Sequence, residues 1–347
     1  MPKSSVTLVD VAKKAGVALV TTSRALNGTG FVSDETRNKV VAAAKALGYS
    51  PNLTAKILKG GRTNLLGLVV SNLHSAPIIE VIAAVSLAVK QAGLDLIIYN
   101  ASTELGVTKQ QDIHRVLGSL CEGILLALPT AQEGQLAEFE SSKVPVVLLN
   151  YWRNQTGLPT VRADNYHGAR AAVEHLIGLG HNRIAFITGS SYTGQSHERQ
   201  RGYQDALKQA GIRPVKGLIV QGDFSQSSGF NAAQQLMALP KPPTAIFAAN
   251  DSMSFGVMDA LKERGLQIPG HVSVIGFDDI PASNHVYPRL STVRQPLAEI
   301  STQAVRLIMR RIRPEAAQPV ADDSLIELPS ALVIRDSCGP APTAGLA

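Results

Sequence analysis

Residues suited to recognition fall in two places along this 347-residue sequence. The first is VTLVDVAKKAGVALVTTSRALN, from Val6 to Asn27, where Thr21, Ser23, Arg24 and Asn27 crowd polar groups onto one short segment. An arginine at Arg24 can reach guanine or phosphate. The second is a set scattered through the chain at the ends of apolar runs: Arg199, Phe224, Asn250 and Asp278, with His74, Tyr151 and Gln195 added to it. Arginine and aspartate offer opposed donors and acceptors for hydroxyl groups, and an aromatic face packs on C–H surface. That is the chemistry of holding a small polar molecule. Plainer readings stand beside it: Asp278 and Asp279 as caps of the next turn, Phe224 as core, and Arg199 as an internal ion pair.

The first set needs helices to present it. Thr7 can cap a helix, and Asp10 three residues on completes a capping-box-like pair. Leu8, Val11, Ala12 and Ala15 share a face, and Gly16 takes the position that closes a helix in the left-handed conformation. A second helix fits Leu19 to Leu26, ending at Asn27-Gly28. Two short helices joined by a tight turn make a helix-turn-helix, whose second helix enters the DNA major groove. A third helix starts at Ser33, carries Val40, Ala44 and Leu47 as its core stripe, and ends at Gly48.

Charge agrees with this placement. Residues 1–62 hold ten Lys/Arg against three Asp/Glu, and residues 63–347 hold 23 against 24. The excess that gives the chain its net +6 therefore lies on the helix-turn-helix segment. A basic module beside a neutral body is the electrostatic footprint of a nucleic-acid binder.

The second set needs sheets. From Leu65 onward, short apolar runs (LLGLVVS, LDLIIYNA, GILLALP, VPVVLLN) alternate with helical patterns. After Asp164-Asn165 a second such series begins with RIAFITG, GLIVQGD, AIFAAN and VSVIGFDD. Apolar runs without strict alternation suit strands buried on both faces of a parallel sheet. The fold class is α/β, with an N-terminal all-α helix-turn-helix domain and two doubly wound parallel-sheet lobes. The expected division is a DNA-binding domain at 1–49, a hinge at 50–62, a first lobe at 63–162 plus 295–320, a second lobe at 163–294 plus 321–336, and a flexible tail at 337–347. Ligands of open sheets lie beyond the carboxyl ends of the strands, here in the crevice between lobes.

The run TLVDVAKKAGV, then TTSRALN, VSDETRNKV and YSPNLTAKIL, resembles the N-terminus of the LacI/GalR family of bacterial transcription regulators, and the likeness extends through the chain. Two residues depart from the family pattern: Ala18 stands where the family usually has Ser, and Thr22 where it usually has Val. The missing Ser removes an N-cap and a phosphate contact. The resemblance implies that Leu19 and Val20 read bases, touching thymine methyls, with Thr7, Thr21, Ser23, Arg24 and Asn27 at the same surface. It also implies that Asn52, Ala55 and Leu58 belong to a hinge that folds when two copies meet in the minor groove, Leu58 wedging a base step. Residues matching Arg199, Phe224 and Asp278 contact the effector in relatives, usually a sugar or a nucleobase; a sugar is preferred here. The lobes resemble those of periplasmic sugar-binding proteins.

Catalysis has little support in the residue patterns. No P-loop, dinucleotide fingerprint, nucleophile elbow or metal-ligand spacing occurs, and Cys121 and Cys338 suit neither a disulfide framework nor a metal site. No cofactor is expected. An exported sugar carrier would leave the basic N-terminus unexplained and would need a signal peptide, which MPKSSVTLVD lacks. The expectation is a cytoplasmic, nucleoid-associated homodimer that binds operator DNA and a small effector and has no membrane partner.

Overall fold

The computed structural model describes residues 6–28, 30–49, 62–101, 110–127, 133–152, 156–314 and 324–343. The chain divides into two compact units, Met1–Thr63 and Asn64–Ala347.

Among its described residues the first unit holds three helices. α1 (Leu8–Ala15) opens on a complete capping box: Thr7 Oγ1 accepts from the Asp10 N–H, and the Thr7 N–H donates to Asp10 Oδ2 at 2.9 Å. Gly16 closes it at φ 66°. α2 (Leu19–Asn27) has no side-chain cap, because Ala18 carries no hydroxyl to offer; Gly28 ends it at φ 67°. α3 (Asp34–Leu47) starts on the Ser33 hydroxyl and stops at Gly48. Val11, Ala25, Val40, Ala43 and Ala44 form the core. Thr22 lies fully buried with its hydroxyl donating to the Ala18 carbonyl at 3.1 Å, so a threonine fills an apolar place without an unpaired polar atom.

In the second unit the chain runs through β1 (Leu65–Val70), α4 (Ala76–Gln91), β2 (Asp95–Asn100), α5 (Gln110–Leu120), β3 (Gly123–Ala127), α6 (Glu133–Glu140), β4 (Val146–Leu149) and β5 (Thr160–Ala163). It then crosses to α7 (Asn165–Gly178), β6 (Ile184–Ile187), α8 (Gly194–Gln209), β7 (Ile219–Val220), α9 (Gln226–Met237), β8 (Ala245–Ala248), α10 (Asp251–Glu263) and β9 (Ser273–Ile275). The last elements are β10 (Thr292–Arg294), α11 (Leu297–Ile312), β11 (Leu325–Leu328) and β12 (Ala331–Val333). The first lobe has a parallel sheet in the order β11-β5-β4-β3-β1-β2, and the second a parallel sheet β7-β6-β8-β9. Strands β1, β3 and β4 bury residues on both faces, against α4 and α11 on one side and α5 and α6 on the other. Antiparallel β10 and β12 form a separate pair beside the return into the first lobe.

In the second lobe α9 and α10 touch backbone to backbone through two glycines. A Cβ on Gly229 would meet the Met253 carbonyl oxygen at 2.1 Å, and one on Gly256 would meet the Gln226 carbonyl at 1.9 Å. Any side chain at either position would force the pair apart.

Three sequence expectations change. β11, assigned with 321–336 to the second lobe, pairs in parallel with β5 and so extends the first sheet. Its sequence, LIEL, is half exposed at a sheet edge and gives no topological signal. β5 and α9 were not anticipated, being a four-residue strand and a helix of mostly small and polar residues. The tail from 337 is not loose as far as it is described. Ser337 is fully buried, accepting from the Ser291 N–H at 2.8 Å and donating to the Val274 carbonyl at 2.6 Å. Gly339 pairs with Ser273 and His181, and the Ala341 N–H donates to Leu179 at 2.9 Å. Hydrogen bonds between backbone groups and the Ser337, Ser273 and His181 side chains, which composition does not reveal, hold it there.

Candidate functional site

In the first unit, α2 turns Ala25 and Thr22 inward, and its other face is open. Leu19 is 46% exposed and Val20 61% exposed, and Arg24 and Asn27 are exposed beside them. Thr21 and Ser23 are partly covered, and Ser23 Oγ accepts from the Asn27 amide at 3.3 Å. The Arg24 stem runs against Gly30, where a Cβ would stand 3.2 Å from Arg24 Cδ. A helix with two apolar residues and an arginine at its open face offers methyl contacts and one charged fork to a partner surface. Thr7 is engaged at the α1 cap. Asn52, Ala55 and Leu58 lie outside the described residues.

In the second unit the strand ends converge on a buried polar chain. Arg199, on the second turn of α8, has side-chain exposure of only 4%, and Asp278, just past β9, only 6%. Arg199 donates through Nε to Asn165 Oδ1 at 2.7 Å, through Nη1 to the Ala249 carbonyl, and through Nη2 to Asp278 Oδ1 at 3.4 Å. Its guanidinium carbon stacks 3.7 Å above the Phe277 ring centroid. Asp278 Oδ1 also accepts from Gln295 Nε2 at 2.6 Å. Gln295 Oε1 in turn accepts from Asn150 Nδ2 at 2.7 Å, and the Asn150 carbonyl accepts from Gln195 Nε2 at 2.7 Å. Asn150 directly follows β4 of the first lobe, Gln195 and Asp278 belong to the second, and Gln295 lies on the return segment. One hydrogen-bonded chain therefore links both lobes.

Electrostatics in this region are set by burial. Desolvation raises the Asp278 carboxyl above its ordinary value, with Arg199 beside it pulling the other way. Asp251, the first residue of α10, is pushed up to about 8 by burial and by Asp278. Its oxygens accept from the hydroxyls of Thr292 and Ser283 at 2.5 and 2.6 Å and from the Ile280 N–H at 2.9 Å. Glu80, in the second turn of α4, is also raised, first by desolvation and then by Asp278 and Asp279. Asp279 is held by Arg294 and Arg335 at 2.6 and 2.5 Å.

Backbone strain gathers at the same place. Of the five non-glycine residues with positive φ among the described residues, four are here: Asn150 (φ 54°), Phe224 (φ 73°), Asp278 (φ 115°) and Asp279 (φ 58°); the fifth, Asn64, precedes β1. Such conformations persist where the surroundings over-determine them. The Phe224 ring lies over Gly189, where a Cβ would be 2.0 Å from its ζ carbon, and its carbonyl accepts from Asn250 Nδ2 at 3.0 Å. Asn250 also caps α10 through the Met253 N–H.

Of the seven residues picked from strand ends and helix starts, the structure joins Arg199, Asp278 and Gln195 in one chain, with Asn250 and Phe224 paired nearby. Tyr151 is 2% exposed and packs in the first-lobe core cluster with Leu126, Phe139 and Leu148. His74 stands exposed in the loop after β1, its N–H on Asn72 Oδ1 at 2.7 Å, and no contact among the described residues ties it to the chain. Asn150, Asn165 and Gln295 were missed. Each is an amide next to an apolar run, a signal present but common. The described residues hold no group of three or more His, Cys, Asp or Glu placed to bind a metal.

A basic helical unit followed along the chain by two lobes linked through a hydrogen-bonded polar chain defines a DNA-binding regulator with a small-molecule module. Comparison with known proteins makes this specific. The family model for bacterial regulatory proteins of the lacI family matches residues 7–52, and that for a periplasmic binding protein-like domain matches 173–338. Catabolite control protein A of Priestia megaterium is 31% identical over 96% of this chain and 99% of its own. A crystal structure of the Lac repressor dimer bound to operator and the anti-inducer ONPF matches at TM-score 0.85 and 29% identity, covering 97% of this chain and 100% of that one. A transcriptional regulator CelR–cellobiose complex matches at TM-score 0.71 and 30% identity, covering 96% and 99%. The chain belongs to the lacI family of bacterial regulatory proteins. It is a DNA-binding transcriptional regulator and not an enzyme. Among the described residues no helix is long and apolar enough to cross a membrane.

Proposed function

We propose that the chain is a cytoplasmic, homodimeric repressor whose operator affinity is set by a sugar bound between its two lobes. One observation carries the reading: the buried chain from Arg199 through Asp278 and Gln295 to Asn150, which spans both lobes at the carboxyl ends of their strands. Charged and amide groups in such a chain suit hydroxyl donors and acceptors, and Phe224 beside it suits a sugar's C–H face. The cellobiose held by CelR supports a sugar, and the Lac repressor dimer on its operator supports a dimer on DNA. α2 enters the major groove, with Leu19 and Val20 against thymine methyls and Arg24 on guanine or phosphate; Thr7, Thr21, Ser23 and Asn27 border that surface. Asn52, Ala55 and Leu58 take the minor groove. Phe224 also suits a purine, so a nucleobase corepressor is the second reading.

Effector acts on DNA by favouring one arrangement of the lobes. A coupling of about 1–3 kcal/mol changes operator affinity roughly five- to 150-fold. A thermal-shift screen of sugars and nucleobases finds the ligand, since binding to the folded state alone raises its stability. Calorimetric titration of that ligand with and without saturating operator then measures the coupling. Equal affinities in the two titrations rule out effector control.

A further inference from the structure

Arg306, Arg310, Arg311 and Arg313 fall within eight residues that contain no acid, in a second unit whose 23 Lys/Arg, these four included, face 24 Asp/Glu. Cations in a last helical turn answer the helix dipole, and Arg310 and Arg311 are enough for that. Four exceed it. Arg306, Arg310 and Arg311 are exposed at the outer side of α11, and Arg313 keeps a buried Nε with no hydrogen-bond partner.

The position of this cluster is fixed by the packing of α11 on the first sheet. Ile308 and Ile312 lie 2.8 and 2.9 Å from where a Cβ of Gly123 would stand. Gly123 opens β3 and pairs with Leu66 of β1, while the Asn64 N–H donates to Glu122 Oε1 at 2.7 Å. The arginine end of α11 is thus the end of the lobe at which β1 begins, where the chain arrives from the DNA-binding unit. Exposed Arg62 immediately precedes this point in sequence. Exposed Lys143 precedes β4, whose Val146 pairs with Ile124 at the same end.

We propose that this basic end of the first lobe is a second DNA contact, one that takes duplex phosphates outside the segment held by the helix-turn-helix. The proposal rests on the reading of the chain as a DNA binder. Arginine forks match phosphate oxygens in pairs, so such contacts add affinity and position but no sequence preference. They also add salt dependence, because each neutralised phosphate releases counterion.

The test is a titration of the full chain onto a long mixed-sequence duplex at rising salt. The wild type is compared with Arg306→Gln/Arg311→Gln/Arg313→Gln and with the matching triple lysine variant. The glutamine variant is expected to bind about tenfold or more weakly, with a log–log salt slope shallower by about two to three, while the lysine variant keeps the slope. Identical affinity and slope in wild type and glutamine variant would overturn the contact. So would a glutamine variant that binds duplex normally but loses binding to polyglutamate, which would assign the patch to an acidic protein. If the triple variant does not melt cooperatively, Arg306→Gln/Arg311→Gln, both exposed, gives the same readout. A wild type that fails to bind any duplex sinks the DNA-binding reading itself, a result distinct from equal slopes.

Discussion

Arg199 Nη2 stands 3.4 Å from Asp278 Oδ1, with neither side chain more than 6% exposed. Removing one member of such a pair leaves the other charged and buried, which costs about 3–5 kcal/mol. We therefore expect Asp278→Asn and Arg199→Ala to lower the unfolding free energy by that order and to abolish the ligand-induced rise in melting temperature. Urea unfolding and the thermal-shift screen measure the two effects. Unchanged sugar affinity by calorimetry in both variants would show that the crevice pocket lies elsewhere.

Asp251 gives a pH dependence with a definite sign. Its carboxyl is held near 8 in the folded chain, against an ordinary 3.8, so the folded state binds the proton more tightly than the unfolded state does. The stability this confers is complete below about pH 4 and declines as pH rises from there through 8, by up to about 1.4 kcal/mol per pH unit. Asp251→Asn should flatten that decline. Unfolding curves at pH 5 and pH 8 with the same difference in both proteins would contradict it.

Ala18 leaves α2 uncapped. Ala18→Ser supplies the missing hydroxyl, and we expect about 0.5–2 kcal/mol of added stability in the first unit, together with tighter DNA binding. Hydrogen exchange of the α2 amides reads the first effect and operator titration the second. Exchange rates no slower than in the parent chain would dismiss the capping argument.

Arg24 is the one cation at the open face of α2. Arg24→Ala should weaken specific binding by about 1–3 kcal/mol and relax preference at one base pair. Binding to a randomised duplex library, followed by sequencing, measures both. An unaltered preference would move base reading away from this residue.

Gly189 lies directly under the Phe224 ring. Gly189→Ala should push the ring out of place and weaken effector binding about tenfold or more, while the melting temperature of the ligand-free protein shifts little. Calorimetry against the ligand found by the screen decides it, and full affinity would remove Phe224 from the pocket.

The sequence was most legible where local chemistry sets the structure. Thr7, Asp10, Gly16, Ser33 and Gly48 mark helix ends through hydrogen bonds made within a few residues, and all five do so in the structure. Arg199 and Asp278 stand out at a helix start and past a strand end, yet Gln295, which donates to Asp278, is seventeen residues from it and ninety-six from Arg199. Only tertiary packing brings it in. Tyr151 shows the converse, since two residues past β4 the side chain can face either crevice or core, and the apolar run before it does not say which. α9 was missed because Gly229 and its polar neighbours mask the periodicity, and the reason for that glycine is the backbone of Met253, far along the chain.

The order of strands in the first sheet bears on how the protein is made. β5 can pair with β4 once residue 163 has left the ribosome, but its other edge waits for β11 at Leu325–Leu328, and the α11 face waits for Leu297–Ile312. Domains commonly fold from the N-terminus as synthesis proceeds. Here the sheet of the lobe that begins first is completed after that of the second lobe, whose parallel strands are all in hand by Ile275. The nascent first lobe therefore carries an unpaired strand edge and an uncovered apolar face through the synthesis of more than a hundred residues. Such a surface is one that chaperones bind.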